Sequence, residues 1–416
     1  MSVCFFGTDH EKKIKCSYIE ENGITVNAEY DISDEVESIN GMIIWSTATR
    51  INSRNILIAD PENECYILVI DAYYAGNNSR YGSLDDKKIS IFKSNSYLKS
   101  ISFDDVRKAA SDTSFTKIRV YSKEITPYYD KPSVTLTKSK DKTIIEMKKY
   151  SEPAKSLIET NGIKEICIGD FWSYERNDRI SIDVQISGYI ELLLPEKESI
   201  DNCYKYLKEL AIYLQLFIPG RFMFEKIQLF IGDNLIDYYI EFDEFTIKKD
   251  FSKNSVTVSL LDFLSNCYKT IPYRDGNEEI RNIPYIINHK YRSIEDNFIA
   301  CFRFIECFYK RTTSLDKSRP IIEQAIKDHP QELSSYSTFG STDYIEEIVA
   351  LRNHYVHSGF YLKDCSLEIK NSKKEIIRVV NNINGHWLYE RTQLLYKIAI
   401  DIIFKTMLGY DTYTYK

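Results

Sequence analysis

The segment EEIVALRNHYVHSGF, residues 346–360, brings together side chains that could carry out chemistry: Arg352, Asn353, His354 and His357. An imidazole has a reference pKa near neutrality, so a histidine can accept or donate a proton at working pH. A guanidinium stays protonated, and its planar fork suits an oxyanion such as a phosphate. An amide one helical turn before a histidine can orient the imidazole. The segment therefore combines a proton carrier, a fixed cation and a polar orienting group.

The spacing of apolar residues predicts that this segment ends an amphipathic helix that starts near Asp343 and stops at Gly359. On a wheel of about 100° per residue, the apolar stripe contains Ile348, Val349, Leu351, Tyr355 and Val356. Arg352 falls in the middle of that stripe, Asn353 and His357 fall on its edge, and His354 points away. An arginine within an apolar face is costly unless it is paired or meets another surface.

Two interpretations of Arg352 follow from this position. In the structural one, Arg352 forms a core salt bridge with Glu306 or Glu390, and His357 is favoured at the helix end by the helix dipole. In the functional one, the Arg–Asn–His group faces a ligand. Cys301 and Cys307 are expected to be packing residues, and His329 is expected to be a solvated loop residue.

The stretch LRNHYVHSG resembles the signature helix of the HEPN superfamily, whose ribonuclease members carry Arg, a polar residue, three spacer residues and His. The order of a β-rich N-terminal region and a C-terminal helical bundle is similar to that of ApeA-like antiphage defence proteins. The resemblance implies a four- or five-helix HEPN bundle that dimerises, with Arg352, Asn353 and His357 as catalytic residues. Glu306 is the candidate for a supporting residue that pairs with Arg352.

The resemblance also implies an endoribonuclease that needs no metal and no cofactor. RNA supplies its own nucleophile, the 2′-hydroxyl. His357 would move protons, Arg352 would stabilise the charge that develops at phosphorus, and Asn353 would orient the imidazole or bind a phosphate oxygen. The product would be a cyclic 2′,3′-phosphate. A homodimer would supply a second His357, so that one imidazole acts as base and the other as acid.

The amino-acid composition indicates the cellular location and the binding partners that we expect for this protein. The chain has 416 residues, a formal net charge of −7 and nine scattered cysteines. Residues 285–416 carry 18 Lys and Arg against 16 Asp and Glu, a net +2, and the remainder carries 36 against 45, a net −9. The C-terminal third is thus the part of the chain better suited to bind a polyanion. No signal peptide or membrane span is recognisable, so a cytoplasmic protein with no membrane partner is expected.

The chain is predicted to be α+β, with three parts. Residues 1–268 form a β-rich region with a candidate boundary between two lobes near residue 150. Residues 269–286 form a linker, and 287–416 form the all-α bundle. Strand signals lie near 14–19, 24–30, 65–74, 88–92, 115–121, 133–137, 179–194, 225–231, 235–242 and 256–260. Helices are predicted at 103–110, 200–217, 294–309, 319–328 and 386–408, with Gly409 as the last stop, whereas 364–384 fits either a hairpin or a helix.

Two functions of different classes fit these patterns. The first is an endoribonuclease that acts in antiphage defence by abortive infection, with a β-rich region that senses a phage-derived trigger. The second is a non-catalytic HEPN-like dimerisation or RNA-binding scaffold, in which Arg352 and His357 hold the dimer together. The presence of Arg, Asn and His together favours catalysis, whereas the lack of a strong basic patch favours the scaffold.

Overall fold

The structure is a computed structural model of the full chain. It describes residues 2–6, 14–28, 54–79, 88–109, 114–128, 134–138, 143–147, 153–160, 162–176, 182–218, 222–240, 258–271, 282–283, 286, 293–330, 343–358, 366–371, 373–381 and 385–410. The chain divides into two compact units. Unit 1 comprises Met1–Lys208 and Phe222–Thr246, and unit 2 comprises Glu209–Arg221 and Ile247–Lys416.

Unit 1 is built on an antiparallel sheet. Within the described ranges, thirteen strands follow the order β11-β12-β13-β8-β14-β15-β7-β5-β4-β1-β2-β3-β6, and β9 pairs with β10 in a separate hairpin. The strands are β1 (Ser2–Phe6), β2 (Ile14–Ile19), β3 (Ile24–Ala28), β4 (Arg54–Asp60), β5 (Cys65–Ser79), β6 (Lys88–Ser94), β7 (Ser96–Ser100), β8 (Phe115–Ser122), β9 (Val134–Lys138), β10 (Thr143–Met147), β11 (Ala154–Thr160), β12 (Ile163–Arg176), β13 (Ile182–Glu198), β14 (Lys226–Ile231) and β15 (Asn234–Ile240).

The strands form because apolar and β-branched residues alternate along them. In β3, for example, Ile24, Val26 and Ala28 are buried while the residues between them are half-buried. These side chains join Ile56, Ile67 and others in one hydrophobic core cluster. The short helix α1 (Phe103–Ala109) contacts β5 and β7 of this sheet. The predicted β-rich character of the N-terminal region is confirmed.

Unit 2 is mainly helical. Its helices are α3 (Leu260–Thr270), α4 (Ile294–Thr312), α5 (Ser318–Asp328), α6 (Asp343–Ser358) and α7 (Gly385–Asp401), together with the C-terminal part of α2 (Ile200–Phe217). A π-helical turn, Ile402–Met407, follows α7, and Gly409 at φ +69° ends it. The predicted helix bounds near 200–217 and 319–328, and the stop at Gly409, are confirmed.

Two features of unit 2 correct the predictions. A C-terminal region made only of helices is wrong, because β16 (Ser366–Lys370) and β17 (Ile376–Asn381) form an antiparallel hairpin. The hairpin resolves the ambiguity over 364–384 in favour of strands. Helix α3 was not predicted, and its last residues, Lys269 and Thr270, fall within the predicted linker 269–286.

Helix α4 begins where its sequence favours a start. Ser293 is the N-cap, and its hydroxyl accepts a hydrogen bond from the Asp296 amide at 3.1 Å. Phe298, Phe302 and Ile305 are fully buried on one side of the helix. The helix packs against α5, α6 and α7, so these four helices form a packed group. In the described part of the chain, no helix is long and apolar enough to cross a membrane.

Candidate active site

Helix α6 carries the Arg–Asn–His motif and buries a narrower stripe than its sequence predicts. Tyr344, Ile348, Leu351 and Tyr355 are buried, and the Tyr355 ring lies 5.6 Å from that of Phe298 on α4. The predicted burial of Val356 is wrong, because this side chain is 52% exposed. With Ile345 at 0° on the wheel, these four buried side chains are centred at about 270°, whereas Arg352 lies at about 340°. Arg352 therefore borders the buried stripe and does not occupy its centre.

The Arg352 side chain is half-buried, at 27% exposure, and is weakly held. Its Nη1 donates a hydrogen bond to Asn353 Oδ1 at 3.1 Å, and its Nη2 lies 3.8 Å from Glu306 Oε1. Glu306 also accepts a hydrogen bond from Ser318 at 2.9 Å and pairs with Lys310 at 3.3 Å. A long contact to a shared carboxylate at a partly solvated site contributes about 0–1 kcal/mol. The structure thus brings Glu306 to Arg352 but leaves the guanidinium accessible.

Asn353 and His357 are both exposed on α6, one helical turn apart. The Asn353 Oδ1 is occupied by Arg352, whereas its Nδ2 donates to no residue within the described ranges. Arg352 and Asn353 are therefore in direct contact, and the exposed His357 follows Asn353 by one helical turn. That arrangement can present a cation, an amide and an imidazole to a ligand from solvent.

The buried arginine of this region is Arg391 on α7. Its Nε donates to Glu347 Oε2 at 2.8 Å, its NH2 lies 2.7 Å from the same oxygen, and its NH1 donates to the Trp387 carbonyl at 3.0 Å. The guanidinium also lies 4.5 Å from the Tyr344 ring centroid. Burial lowers the pKa of Arg391, although Tyr344 and Glu390 act in the opposite direction. The core salt bridge considered for Arg352 is thus formed by Arg391 and Glu347.

The Arg391–Glu347 pair positions the motif. Glu347 is 2% exposed and lies five residues before Arg352, so the pair ties α6 to α7 next to the candidate site. Arg378 of β17 pairs with the other oxygen of Glu347, which also ties the hairpin to α6. Three elements of unit 2 are therefore fixed around one buried carboxylate.

His354, which the sequence placed on the side away from the motif, lies beside Asn353 in a groove of about 540 Å³. The groove is formed by α6, the start of α5 and the β16–β17 hairpin. The His354 Nε2 is buried and has no hydrogen-bond partner among the described residues. Arg352 and His357 do not line this groove. Sequence patterns alone do not predict this groove, since it depends on the hairpin that packs against α6.

His329 contradicts its predicted role as a solvated residue. It is 7% exposed at the end of α5, and its Nδ1 is hydrogen-bonded to Asp401 Oδ2 on α7. Asp401 also pairs with Lys405 one turn later. Because the partner is 72 residues away in the sequence, local pattern could not reveal it.

Cys301 is fully buried, as expected of a packing residue. Burial raises the pKa of its thiol, so the reactive thiolate form is disfavoured. Within the described ranges, His, Cys, Asp and Glu side chains form no group of three or more that could hold a metal ion.

Comparisons with family models, curated proteins and solved structures found no match. The interpretation of the site therefore depends on the geometry of α6 and on the resemblance of its nine-residue motif.

Unit 1 contains a second concave surface, of about 340 Å³. One wall is formed by Tyr97 and Tyr239, whose rings stack at a centroid distance of 4.6 Å and an interplanar angle of 6°. The Tyr97 hydroxyl donates to Glu20 at 2.7 Å, and Lys99 pairs with the same carboxylate at 2.9 Å. Burial, reinforced by Glu20, raises the pKa of Tyr97, which keeps its hydroxyl protonated as a donor.

Proposed function

We propose that the chain is a metal-independent endoribonuclease of the HEPN type with Arg352, Asn353 and His357 in its active site. The observation that carries the proposal is that Arg352 is accessible and in contact with Asn353, while Arg391 takes the buried structural role. A functional arginine must be free to contact substrate, and a structural one must be paired. Arg352 meets the first condition and Arg391 meets the second.

The chemistry follows from the residue types. His357 removes the proton of the ribose 2′-hydroxyl, and the resulting oxygen attacks the adjacent phosphorus. The bond from phosphorus to the 5′-oxygen breaks, and the leaving oxygen takes a proton. The products are a cyclic 2′,3′-phosphate and a free 5′-hydroxyl. Arg352 stabilises the added negative charge on the phosphoryl oxygens, and Asn353 holds the guanidinium in place.

One imidazole cannot serve as base and acid in the same step, so the proposal includes a homodimer in which two copies of α6 face each other. The exposed Val356, flanked by Arg352 and His357 along the helix, supports this arrangement because it offers an uncovered apolar contact. When inactive His357→Ala protein is mixed with wild type, the RNA cleavage activity should then fall by more than the wild-type fraction falls. A strict monomer in sedimentation that still cleaves RNA would contradict the dimer.

The N-terminal region is proposed to sense a phage-derived trigger and to restrain the nuclease, with abortive infection as the outcome. The similarity of the domain order to ApeA-like proteins supports this role. The concave surface lined by Tyr97 and Tyr239 is the described feature of unit 1 best suited to a ligand, because it combines ring faces with hydrogen-bonding groups. Tyr239→Ala should weaken the response to a trigger without changing the active site.

The nuclease proposal is tested with purified full-length protein in the presence of a chelator, with an extract of phage-infected cells added to supply the trigger. We expect cleavage of an RNA oligonucleotide, no cleavage of the same oligonucleotide with a 2′-deoxy residue at the scissile position, and none by His357→Ala. Lys327→Ala, on an exposed part of α5, is the control for substitution in the same unit. Equal cleavage by wild type and His357→Ala would refute the assignment.

The second candidate is the non-catalytic scaffold. The contact between Arg352 and Glu306, at 3.8 Å, favours it because the arginine already has a structural partner. In that case Arg352→Met and His357→Ala would weaken self-association and leave RNA intact in every preparation. The two functions therefore differ in a single readout, the appearance of new RNA ends.

A further inference from the structure

The groove beside Asn353 has the properties of a ligand site. Its volume of about 540 Å³ lies within the range of about 300–1,000 Å³ typical of small-molecule pockets. Asn353 belongs both to the groove and to the motif, since it lines the groove and accepts a hydrogen bond from Arg352 at 3.1 Å. A ligand that contacts Asn353 in the groove would thus be separated from the proposed catalytic arginine only by the Asn353 side chain.

The charges that line the groove leave a surplus cation. The groove is lined by three basic residues, Arg319, Lys370 and Lys374, and by two acidic residues, Glu346 and Glu368. Arg319 pairs with Glu346, and Lys370 pairs with Glu368 at 2.9 Å. Lys374 has no ion pair within the described ranges. A groove with one uncommitted ammonium and several neutral polar groups suits a phosphodiester chain better than a polycation or an apolar ligand.

The backbone holds Lys374 in a fixed and unusual position. Its φ of +66° lies in the left-handed region, which favours glycine or asparagine. Asn371 fixes the surrounding turn, because its Oδ1 accepts hydrogen bonds from the amides of Lys373 at 2.9 Å and Glu375 at 3.0 Å. The Lys374 amide donates to the Asn371 carbonyl at 2.9 Å. A lysine therefore stands at a position whose conformation favours other residues, on the rim of the groove.

We propose that this groove binds the single-stranded RNA segment next to the scissile bond, with Lys374 contacting a phosphate. Asn353 and His354 then face the sugar or base of the same nucleotide. The inference depends on the proposed nuclease function and adds the path of the substrate to it. A single strand is the expected form because its unstacked bases are free to hydrogen-bond to side chains such as Asn353 and His354, whereas the bases of a duplex are paired.

The test measures binding of a single-stranded oligoribonucleotide with 2′-O-methyl groups, which full-length protein cannot cleave. The variant is Lys374→Asn, since asparagine tolerates the left-handed conformation and removes the charge. The matched control is Lys373→Asn, an exposed neighbour in the same turn that does not line the groove. A thermal melt of both variants checks that the fold is retained.

Loss of one phosphate contact lowers the slope of log affinity against log salt by about 0.7 on a single strand. At an ionic strength of about 0.15 M this corresponds to about fourfold weaker binding. We expect that change for Lys374→Asn and a clearly smaller one for Lys373→Asn. We also expect a duplex of the same sequence to bind more weakly than the single strand.

Equal affinity and equal salt slope for the two variants would overturn the groove proposal, as would equal binding of duplex and single strand or no binding by wild type. If wild type still cleaves RNA and His357→Ala does not, the nuclease function stands although the groove proposal fails. If binding follows the expected pattern but no preparation cleaves RNA, the groove binds RNA and the nuclease function fails.

Discussion

Arg391 and Arg352 offer a matched pair of substitutions that separates a structural arginine from a functional one. Arg391→Met removes two short contacts to Glu347, at 2.8 and 2.7 Å, from a carboxylate that is 2% exposed. It also removes the contact between the guanidinium and the Trp387 ring at 4.2 Å. Arg378 remains as the second partner of Glu347, but an incompletely compensated buried charge costs about 3–5 kcal/mol.

Arg352→Met is expected to behave differently. This side chain is 27% exposed, and its contact to Glu306 measures 3.8 Å, so the loss of unfolding free energy should be about 0–1 kcal/mol. Urea titrations followed by far-ultraviolet circular dichroism compare the two variants with wild type. Arg391→Met should move the transition of the helical signal to much lower urea, and Arg352→Met should leave it nearly unchanged while RNA cleavage is lost.

Equal destabilisation by the two substitutions would refute this reasoning, because Arg352 would then be a packing residue. A double-mutant cycle with Glu347→Gln gives the control. The coupling free energy between Arg391 and Glu347 should be large, since both groups are buried and in contact. The effects of Arg352→Met and Glu347→Gln on the free energy of unfolding should instead be nearly additive.

Three further predictions follow from other parts of the structure. Burial raises the pKa of Glu209 to about 8 from a usual value of 4.5, although the hydrogen bond from Tyr213 acts in the opposite direction. Between these two pH values the folded state therefore holds a proton that the unfolded state has lost. The free energy of unfolding should thus fall as pH rises from about 4.5 to about 8. The loss is at most about 5 kcal/mol, and Glu209→Gln should flatten the dependence of the urea midpoint on pH over that window; an unchanged dependence would contradict the assignment. Gly188→Ala should destabilise unit 1 by about 1–3 kcal/mol, because a Cβ there would lie 2.7 Å from the Thr126 nitrogen, and a thermal melt within error of wild type would show that the close approach is absent. Val356→Glu should change the stability of a protomer by no more than about 0.5 kcal/mol, since the side chain is exposed, but should shift sedimentation toward monomer; an unchanged dimer would place the interface elsewhere.

The elements with a strong local period could be predicted from the sequence. Helix α2 was predicted at its observed bounds, Ile200–Phe217, and β2 at Ile14–Ile19, because the apolar spacing along each is regular. Helix α3 was missed although Ser259 caps it and accepts a hydrogen bond from the Asp262 amide at 3.1 Å. The alternating β-branched residues just before it, at 256–260, predict a strand instead.

The candidate site was predictable in its residues but not in its surroundings. Periodicity gives the angle of Arg352 around α6, yet the side that is covered depends on α4, α5 and β16, which are distant in sequence. The same limit applies to Arg391, because its partner Glu347 lies 44 residues away in the sequence. The hairpin could not be decided from sequence, because Leu367 and Ile369 are the buried residues of β16 whereas most of β17 is exposed.

The central claim is that the guanidinium and imidazole of α6 act on RNA, and the ends of cellular RNA report on this most directly. RNA is sequenced by its termini after expression of wild type, Arg352→Met and His357→Ala in cells that are then infected with phage as the source of the trigger. We expect new 2′,3′-cyclic phosphate ends, paired with 5′-hydroxyl ends, in wild type alone. The same ends at the same abundance in all three strains, or no new ends in any of them, would contradict it.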